Sequence, residues 1–414
     1  MKTFIHYLND LVSEQKSTFS KYQDIRWINP YEADVFQMKR DELLLKNTDT
    51  LFKGTKVYHR SVSNGCNLCG KGLWSCLFIT GKCNAACFYC PASQQKDETP
   101  TSQGLTFNTP EAYAEYVRHF GFKGVSFSGG EPLLYFERTL EYLKAVRKSC
   151  DPDIYIWLYT NGILASEEKF RILADAGLNE IRFDIGATRY SLENVKKAAG
   201  IIPIVSIEIP SVPEEKALII DLLPEMVRAG VKHLNLHQLR LTDYNAPRLL
   251  KRNYTYIPAE KPIVLESELA ALEIIDYAAD NGINIGINYC SFYFKNRFQK
   301  AGFRTRVNAT LGVTKEMLTE KGNIRRMGEE EVHYSSLFLG DGNDAPMADQ
   351  NKLILAHKTY VVSESPVVKP VKFMEHQKPE IVKLITEEPP EIPDDPVLFR
   401  IWQNEYIEKN LRDY

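Results

Sequence analysis

Three cysteines, Cys83, Cys87 and Cys90, stand in GKCNAACFYCPAS with three and then two residues between them. Three thiolates on so short a segment can hold three irons of a cubane cluster and leave the fourth iron open to another ligand. A structural zinc site closes with four ligands, usually drawn from C-x2-C knuckles. The spacing suits zinc less well, although Cys66 and Cys69 would complete a tetrahedral set. Of the eight cysteines, six lie between Cys66 and Cys90; the others are Cys150 and Cys290. The opening MKTFIHYLNDLVSEQ meets Asn9 and Asp10 before any apolar stretch of signal-peptide length, and no run of about 18 apolar residues follows. This predicts a cytoplasmic chain that does not enter a membrane. In a reducing compartment, crowded cysteines point to metal ligation or redox chemistry rather than disulfides.

The elements that must position these thiols form an alternation. From Ser75 onward, β-rich runs at 75–81, 123–129, 153–159, 180–186, 202–209 and 231–239 are separated by amphipathic segments of helix length at 110–120, 136–149, 166–176, 191–199 and 214–229. This is the pattern of βα units around a parallel sheet, with the cysteine loop directly after the first strand. A helix at 266–282, a strand at 283–289 and a helix at 292–303 follow. The first 60 residues read as helical, with Val35, Met38, Leu43 and Leu44 as a stripe. The end of the chain reads as a smaller mixed region with β-like runs in KLILAHKTYVVS and EIVKLITE and a proline-rich EEPPEIPDDP. The division expected is an extension over 1–70 carrying the Cys66/Cys69 knuckle, an α/β core over 71–305 and a β-containing region over 306–414. The chain has 414 residues, 44% hydrophobic and 25% charged, with 51 basic against 54 acidic side chains. That balance excludes a disordered chain and a protein that coats polyanions by charge alone.

Cys83, Cys87 and Cys90, with Tyr89 before the last cysteine, resemble the CxxxCxxC signature of the radical S-adenosylmethionine (SAM) superfamily, and the resemblance runs over approximately residues 75–240. It implies a partial (βα)6 barrel, matching the six runs, with a 4Fe-4S cluster on the three cysteines and SAM on the open iron. Ser128-Gly129-Gly130-Glu131-Pro132 looks like the family's GGEP segment, which binds the methionine amino group; the glycines permit close backbone approach and Glu131 can pair with an ammonium. Asn161 of Thr160-Asn161-Gly162 falls where similar proteins hold the ribose or carboxylate of SAM. Ser206 and Glu208 interrupt an apolar run where the family often places further SAM contacts, although its glycines are missing here. The alternative for Glu208 is a paired charge near the sheet's edge. More narrowly, CxxCGKG followed by LFITGxCNxxCFYCP is similar to a subgroup related to pyruvate formate-lyase activating enzymes.

Cys66, Cys69, Cys76 and Cys290 offer a second metal centre: iron, zinc or an auxiliary iron-sulfur cluster. Alternatively Cys76 is a small buried hydrophobe, as Cys150 is on its helix beside Leu143 and Val146. His237 stands near the end of the sixth strand, where a structural histidine is the plainer reading. The segments 248–258 and 294–306 mix basic and aromatic residues; in the second, Phe294, Phe298 and Ala301 share a helical face beneath a basic one. The resemblance implies an enzyme that cleaves SAM reductively to a 5′-deoxyadenosyl radical and abstracts hydrogen from a small metabolite or a peptide, with flavodoxin or ferredoxin as electron donor. Activation of a glycyl radical enzyme and a zinc-stabilised nucleic-acid-binding module are the alternatives. No catalytic residue beyond the cofactor contacts follows from the sequence.

Overall fold

A computed structural model of the chain describes residues 12–13, 15–46, 49–259, 261–339, 362–365, 370–373, 378–387 and 393–407. Its elements in chain order begin with α1 (Pro30–Lys46), β1 (Asp49–Leu51), β2 (Lys56–His59), α2 (Asn64–Gly70), β3 (Trp74–Thr80), β4 (Thr101–Ser102), β5 (Leu105–Thr106), α3 (Pro110–His119), β6 (Gly124–Gly129) and α4 (Phe136–Ser149). The middle comprises β7 (Tyr155–Thr160), α5 (Glu167–Asp175), β8 (Glu180–Phe183), α6 (Glu193–Ala198), β9 (Ile204–Pro210), α7 (Lys216–Arg228), β10 (His233–His237) and α8 (Ala246–Leu249). Then come β11 (Tyr256–Ile257), β12 (Ile263–Val264), α9 (Leu265–Asp280), β13 (Gly286–Cys290), α10 (Phe292–Phe294) and α11 (Lys300–Thr310), the last two joined by a π-helical turn over Lys295–Gln299. A four-stranded antiparallel sheet of β14 (Ile324–Met327), β15 (Glu331–Leu339), β16 (Val362–Ser365) and β17 (Val371–Lys372) follows, with helices α12 (Lys378–Thr386) and α13 (Pro396–Glu405).

The central sheet runs β1-β2-β13-β10-β9-β8-β7-β6-β3-β4-β5. Its pairings from β3 through β6, β7, β8, β9 and β10 to β13 are parallel, so β13 extends the six expected strands by one. This is the partial barrel expected. Helix starts follow local chemistry: Thr109 caps α3 by accepting from Ala112 N ahead of Pro110, and Ser166 caps α5 by accepting from Lys169 N.

Alternation along the strands sorts two faces. Leu77, Ile79, Val125, Phe127, Ile156, Leu158, Ile181, Ile207, Leu234, Leu236 and Ile287 are buried in one apolar core with residues of the crossover helices. Paired positions on the other face run Cys76–Ser126–Trp157–Glu180, then Tyr159–Arg182–Ser206–His233, then Glu208–Asn235–Asn288 and His237–Cys290. A closed eight-stranded barrel fills its interior with branched aliphatics. Here the inner face is polar and encloses a cavity of about 790 Å³.

The N-terminal and C-terminal parts depart from the expectations. Residues 49–59 are not helical: they form the hairpin β1–β2, and β2 pairs antiparallel with β13. Such a short edge strand takes its structure from its partner rather than from its own pattern. Helix α1 exists, but its buried stripe is Ala33, Phe36, Arg40 and Leu43, whereas Val35 and Met38 are exposed. EIVKLITE is helical, not β: Ile381 and Leu384 recur one turn apart and are buried with Phe399 and Trp402. Most of KLILAHKTYVVS and half of EEPPEIPDDP lie outside the described residues. Cys150 packs against the main core, as expected.

Candidate functional site

The cysteine loop leaves the C-terminal end of β3 and is pinned from two sides. On its own side, Cys83 N donates to Gln94 O (3.0 Å) and Cys90 N to Cys87 O (3.2 Å). From the segment after β10, Asn245 Nδ2 donates to Tyr89 O (3.1 Å), Arg248 Nη1 to Cys87 O (3.2 Å) and Thr242 Oγ1 to Pro91 O (3.0 Å). Arg248 also covers the Tyr244 ring, and Arg252 the Phe88 ring at 3.8 Å. Arg248 and Arg252 of the basic-aromatic segment 248–258 thus clamp the loop.

Cys83, Cys87 and Cys90 all line the cavity. Burial raises the thiols of all three, that of Cys87 to about 12. Metal loading must therefore displace protons. Among the described residues no three His, Cys, Asp or Glu side chains gather as ligands of a single metal ion. A cubane asks for something different, because each thiolate ligates its own iron and the sulfurs surround a body of several atoms. The donor set is soft, lies on one loop at a cavity wall and leaves room in front of it, which fits the cluster.

The glycine pair does what close backbone approach requires. Gly129 has φ +123°, and a Cβ there would strike Thr80 O; one on Gly130 would strike Lys82 O. Gly130 N donates to Thr80 O (2.7 Å) and Glu131 N to Lys82 O (2.9 Å), so this segment is welded to the start of the cysteine loop. Ser128, Gly129 and Gly130 line the cavity. Glu131 does not, which corrects the expected ammonium pairing. Its carboxylate is fully buried and accepts from Leu133 N (2.9 Å), Thr160 Oγ1 (2.7 Å) and Asn161 N (2.7 Å). Pro132 is likewise buried and opens a short 3-10 turn beneath the loop. Asn161 reaches the cavity, but its amide donates to Asn84 Oδ1 (2.7 Å) and Cys83 Sγ (3.6 Å) and accepts from Ile163 N (3.0 Å). It braces the cysteine loop instead of presenting free polar atoms.

Tyr89 lines the cavity and its hydroxyl donates to Asp184, 2.8 Å from Oδ1. Burial pushes the Asp184 carboxyl up to about 6, against the pull of Tyr89 and the Gly186 amide. Ser206 is fully buried and donates to Glu180 Oε1 (2.7 Å), so it is no ligand contact. Glu208 takes the alternative reading of a paired charge: it accepts from Arg182 Nη1 (2.7 Å), Asn235 Nδ2 (3.1 Å) and His237 Nε2. Burial alone would raise its carboxyl, but His237 and Arg182 hold it well below the usual carboxylate range. Burial and Lys295 keep His237 below its ordinary value. A neutral ring then donates from Nε2 to Glu208 and accepts at Nδ1 from Lys295 Nζ (2.9 Å). Arg182, 2% exposed, spends its donors on Glu180, Glu208, Ser63, Tyr159 and Cys66.

Cys66, Cys69 and Cys290 line the same cavity with Lys56, Lys295 and Gln299. Cys76 also faces it, but beside Ser126 and Ser128, and burial pushes its thiol to about 12. Sequence reasoning missed Lys56, Arg182, Asp184, Asn235 and Lys295. The signal for most of them was present in EIRFD, HLNLH and INYC, where polar residues recur at every second position of strands whose other face is apolar.

Comparison with known proteins finds relatives in sequence. The family model described as the radical SAM superfamily matches residues 77–199. A Methanocaldococcus jannaschii protein, provisionally named a glycyl-radical enzyme activating enzyme, is 30% identical over 297 residues, 68% of this chain and 76% of its own. A Staphylococcus aureus GTP 3′,8-cyclase is 34% identical over 115 residues, which span 27% of this chain and 33% of the cyclase. The crystal structure of Streptococcus suis SuiB bound to its precursor peptide SuiA aligns over 67% of this chain and 61% of its own, with 15% identity and a TM-score of 0.41.

Proposed function

From the premise that the chain belongs to the radical SAM superfamily and is an enzyme of that class using a 4Fe-4S cluster and SAM, we propose that it abstracts hydrogen from a substrate held over the polar inner face of its partial barrel. When bound, the cluster and SAM supply an electron and the 5′-deoxyadenosyl radical that takes the hydrogen. Cys83, Cys87 and Cys90 would hold the cluster, and the backbone of Gly129 and Gly130 would lie along SAM. Glu131, Asn161 and Arg248 keep loop and glycines in register. The observation that carries this reading is that the cysteine loop, the glycine pair and the Arg182–Glu208–His237–Lys295 chain all line one cavity. Its volume of about 790 Å³ lies in the range of small-ligand sites. The inner chain presents the Lys295 ammonium, whose N–H groups not spent on His237 are suited to orient an anionic or hydroxylated substrate.

The substrate class favoured is a small metabolite or a peptide segment. Activation of a glycyl radical enzyme is the second reading, favoured by the name of the Methanocaldococcus relative. Flavodoxin or ferredoxin would serve as electron donor. A zinc-stabilised nucleic-acid module is disfavoured, since Arg248 and Arg252 of the first basic-aromatic segment and Lys295, Arg304 and Arg306 of the second make hydrogen bonds or ring contacts within the chain. The test is anaerobic reconstitution with iron and sulfide, reduction with dithionite and assay of 5′-deoxyadenosine from added SAM. Turnover is expected, lost in a folded Cys87→Ala variant. No product from a fully loaded protein, with small-molecule and protein fractions of cell extract each supplied, overturns the proposal. Stimulation by the protein fraction alone, with a glycyl radical signal appearing on a protein of that fraction, selects the second reading.

A further inference from the structure

A part of the cavity that the radical chemistry does not use holds three more thiols and a buried ammonium. Cys66 and Cys69 come from α2, and Cys290 ends β13. The β2–β13 register pairs Ile287 with His59 and Asn288 with Tyr58; continued, it sets Lys56 across from Cys290. Lys56 lies within electrostatic reach of all three cysteines, and Cys69 within reach of Cys66 and Cys290. Two separate segments thus deliver thiols to one wall, and a third, β2, delivers the ammonium.

Lys56 is the second, independent observation. It is fully buried, and its Nζ finds no hydrogen-bond partner among the described residues; its contact is the face of Phe294, 4.4 Å away. A buried ammonium without a counter-charge is costly, and a ring face offsets only part of that cost. The carboxylate in reach, Glu208, is already matched by Arg182. Neutral thiols would leave the ammonium uncompensated, whereas thiolates on a metal would not. Two N–H donors also reach the thiols: Gln299 Nε2 donates to Cys69 Sγ (3.1 Å) and Arg182 Nη1 to Cys66 Sγ (3.5 Å), the kind of contact that supports ligating sulfur.

We infer that Cys66, Cys69 and Cys290 ligate a second iron-sulfur cluster on the β13 side of the cavity, with Lys56 as its buried counter-charge and a fourth iron left open towards the cavity. Cys76 is not part of it, since it pairs in register with Ser126 and faces Ser128. The open iron would take a nitrogen, oxygen or sulfur donor of the substrate and hold it near SAM. That role rests on the radical reading above; the presence of the centre does not.

The test uses the full chain, reconstituted anaerobically with iron and sulfide. A Cys83→Ala/Cys87→Ala/Cys90→Ala variant should keep about half the wild-type iron and sulfide. After reduction, its paramagnetic signal should not change when SAM is added. A variant that is iron-free, or that holds only zinc, overturns the inference. The complementary Cys66→Ala/Cys69→Ala/Cys290→Ala variant should keep the other half, with a SAM-sensitive signal. Because that variant can fail to fold, Lys56→Met is measured beside it in the first background. Loss of the positive charge should lower the midpoint potential of the SAM-insensitive cluster, and an unchanged potential removes Lys56 from the proposal. SAM cleavage by the wild type alongside an iron-free first variant sinks the second centre alone. Iron in that variant with no SAM cleavage by the wild type sinks the radical reading alone.

Discussion

Replacing Glu131 by glutamine separates two roles for the acidic residue of the GGEP segment. The structure gives its carboxylate three donors: Leu133 N and Thr160 Oγ1 on Oε1, at 2.9 and 2.7 Å, and Asn161 N on Oε2 at 2.7 Å. A glutamine can keep the first two with its carbonyl oxygen, but its amide then points an N–H at the N–H of Asn161. A hydrogen bond to a charged acceptor contributes about 1.5–3 kcal/mol, and an orphaned buried donor costs about 1–3 kcal/mol. The combined loss is about 3–5 kcal/mol, which for a cooperative unit of roughly 200 residues lowers the melting temperature by roughly 10 °C. The same change loosens Asn161, whose side chain braces Asn84 and Cys83. The assay is a thermal melt of anaerobic protein with iron per chain counted before and after dialysis against a chelator. A lower melting temperature together with faster iron loss is expected. If melting and iron retention match the wild type while SAM binding disappears, the carboxylate meets the ligand directly and the internal tie is wrong.

Gly130→Ala should drive a methyl into the Lys82 carbonyl, cost about 1–3 kcal/mol and lower cluster occupancy. Gly200→Ala, with φ +82° and nothing within 4 Å, should cost about 1 kcal/mol of backbone strain and leave iron content unchanged; equal iron loss in both refutes the close-approach argument. Arg248→Ala removes a clamp on Cys87 O, so iron release to a chelator should speed up several-fold while stability falls by about 1 kcal/mol. Arg248→Lys should rescue this only in part, because a single ammonium does not reproduce the planar fork. Glu268, buried against Arg40 where α9 meets α1, has its carboxyl raised by burial to about 7 from 4.5. The native state therefore holds a proton that the unfolded chain has released between those values, so stability is highest below pH 4.5 on this account. It declines as pH rises through about 7, by at most about 3 kcal/mol. Urea midpoints at pH 5 and 8 should converge for Glu268→Gln; an undiminished difference assigns the pH dependence elsewhere.

Much of this protein follows from the order of its residues alone. The Cys83-x3-Cys87-x2-Cys90 spacing identifies a thiolate loop because three ligands on one short segment need no tertiary help to be close. The βα alternation after Ser75 likewise identifies a parallel sheet, since period-2 and period-3.6 patterns are local properties. What the tertiary structure alone decided is which polar groups face a ligand and which face each other. Glu131, Asn161 and Ser206 look like ligand contacts in the chain, yet their partners, Thr160, Asn84 and Glu180, take up their hydrogen-bonding capacity first. Lys56 sits in a four-residue strand with no pattern of its own. Only pairing with β13, more than 200 residues later, carries it to Cys290, and no local preference encodes a contact of that separation.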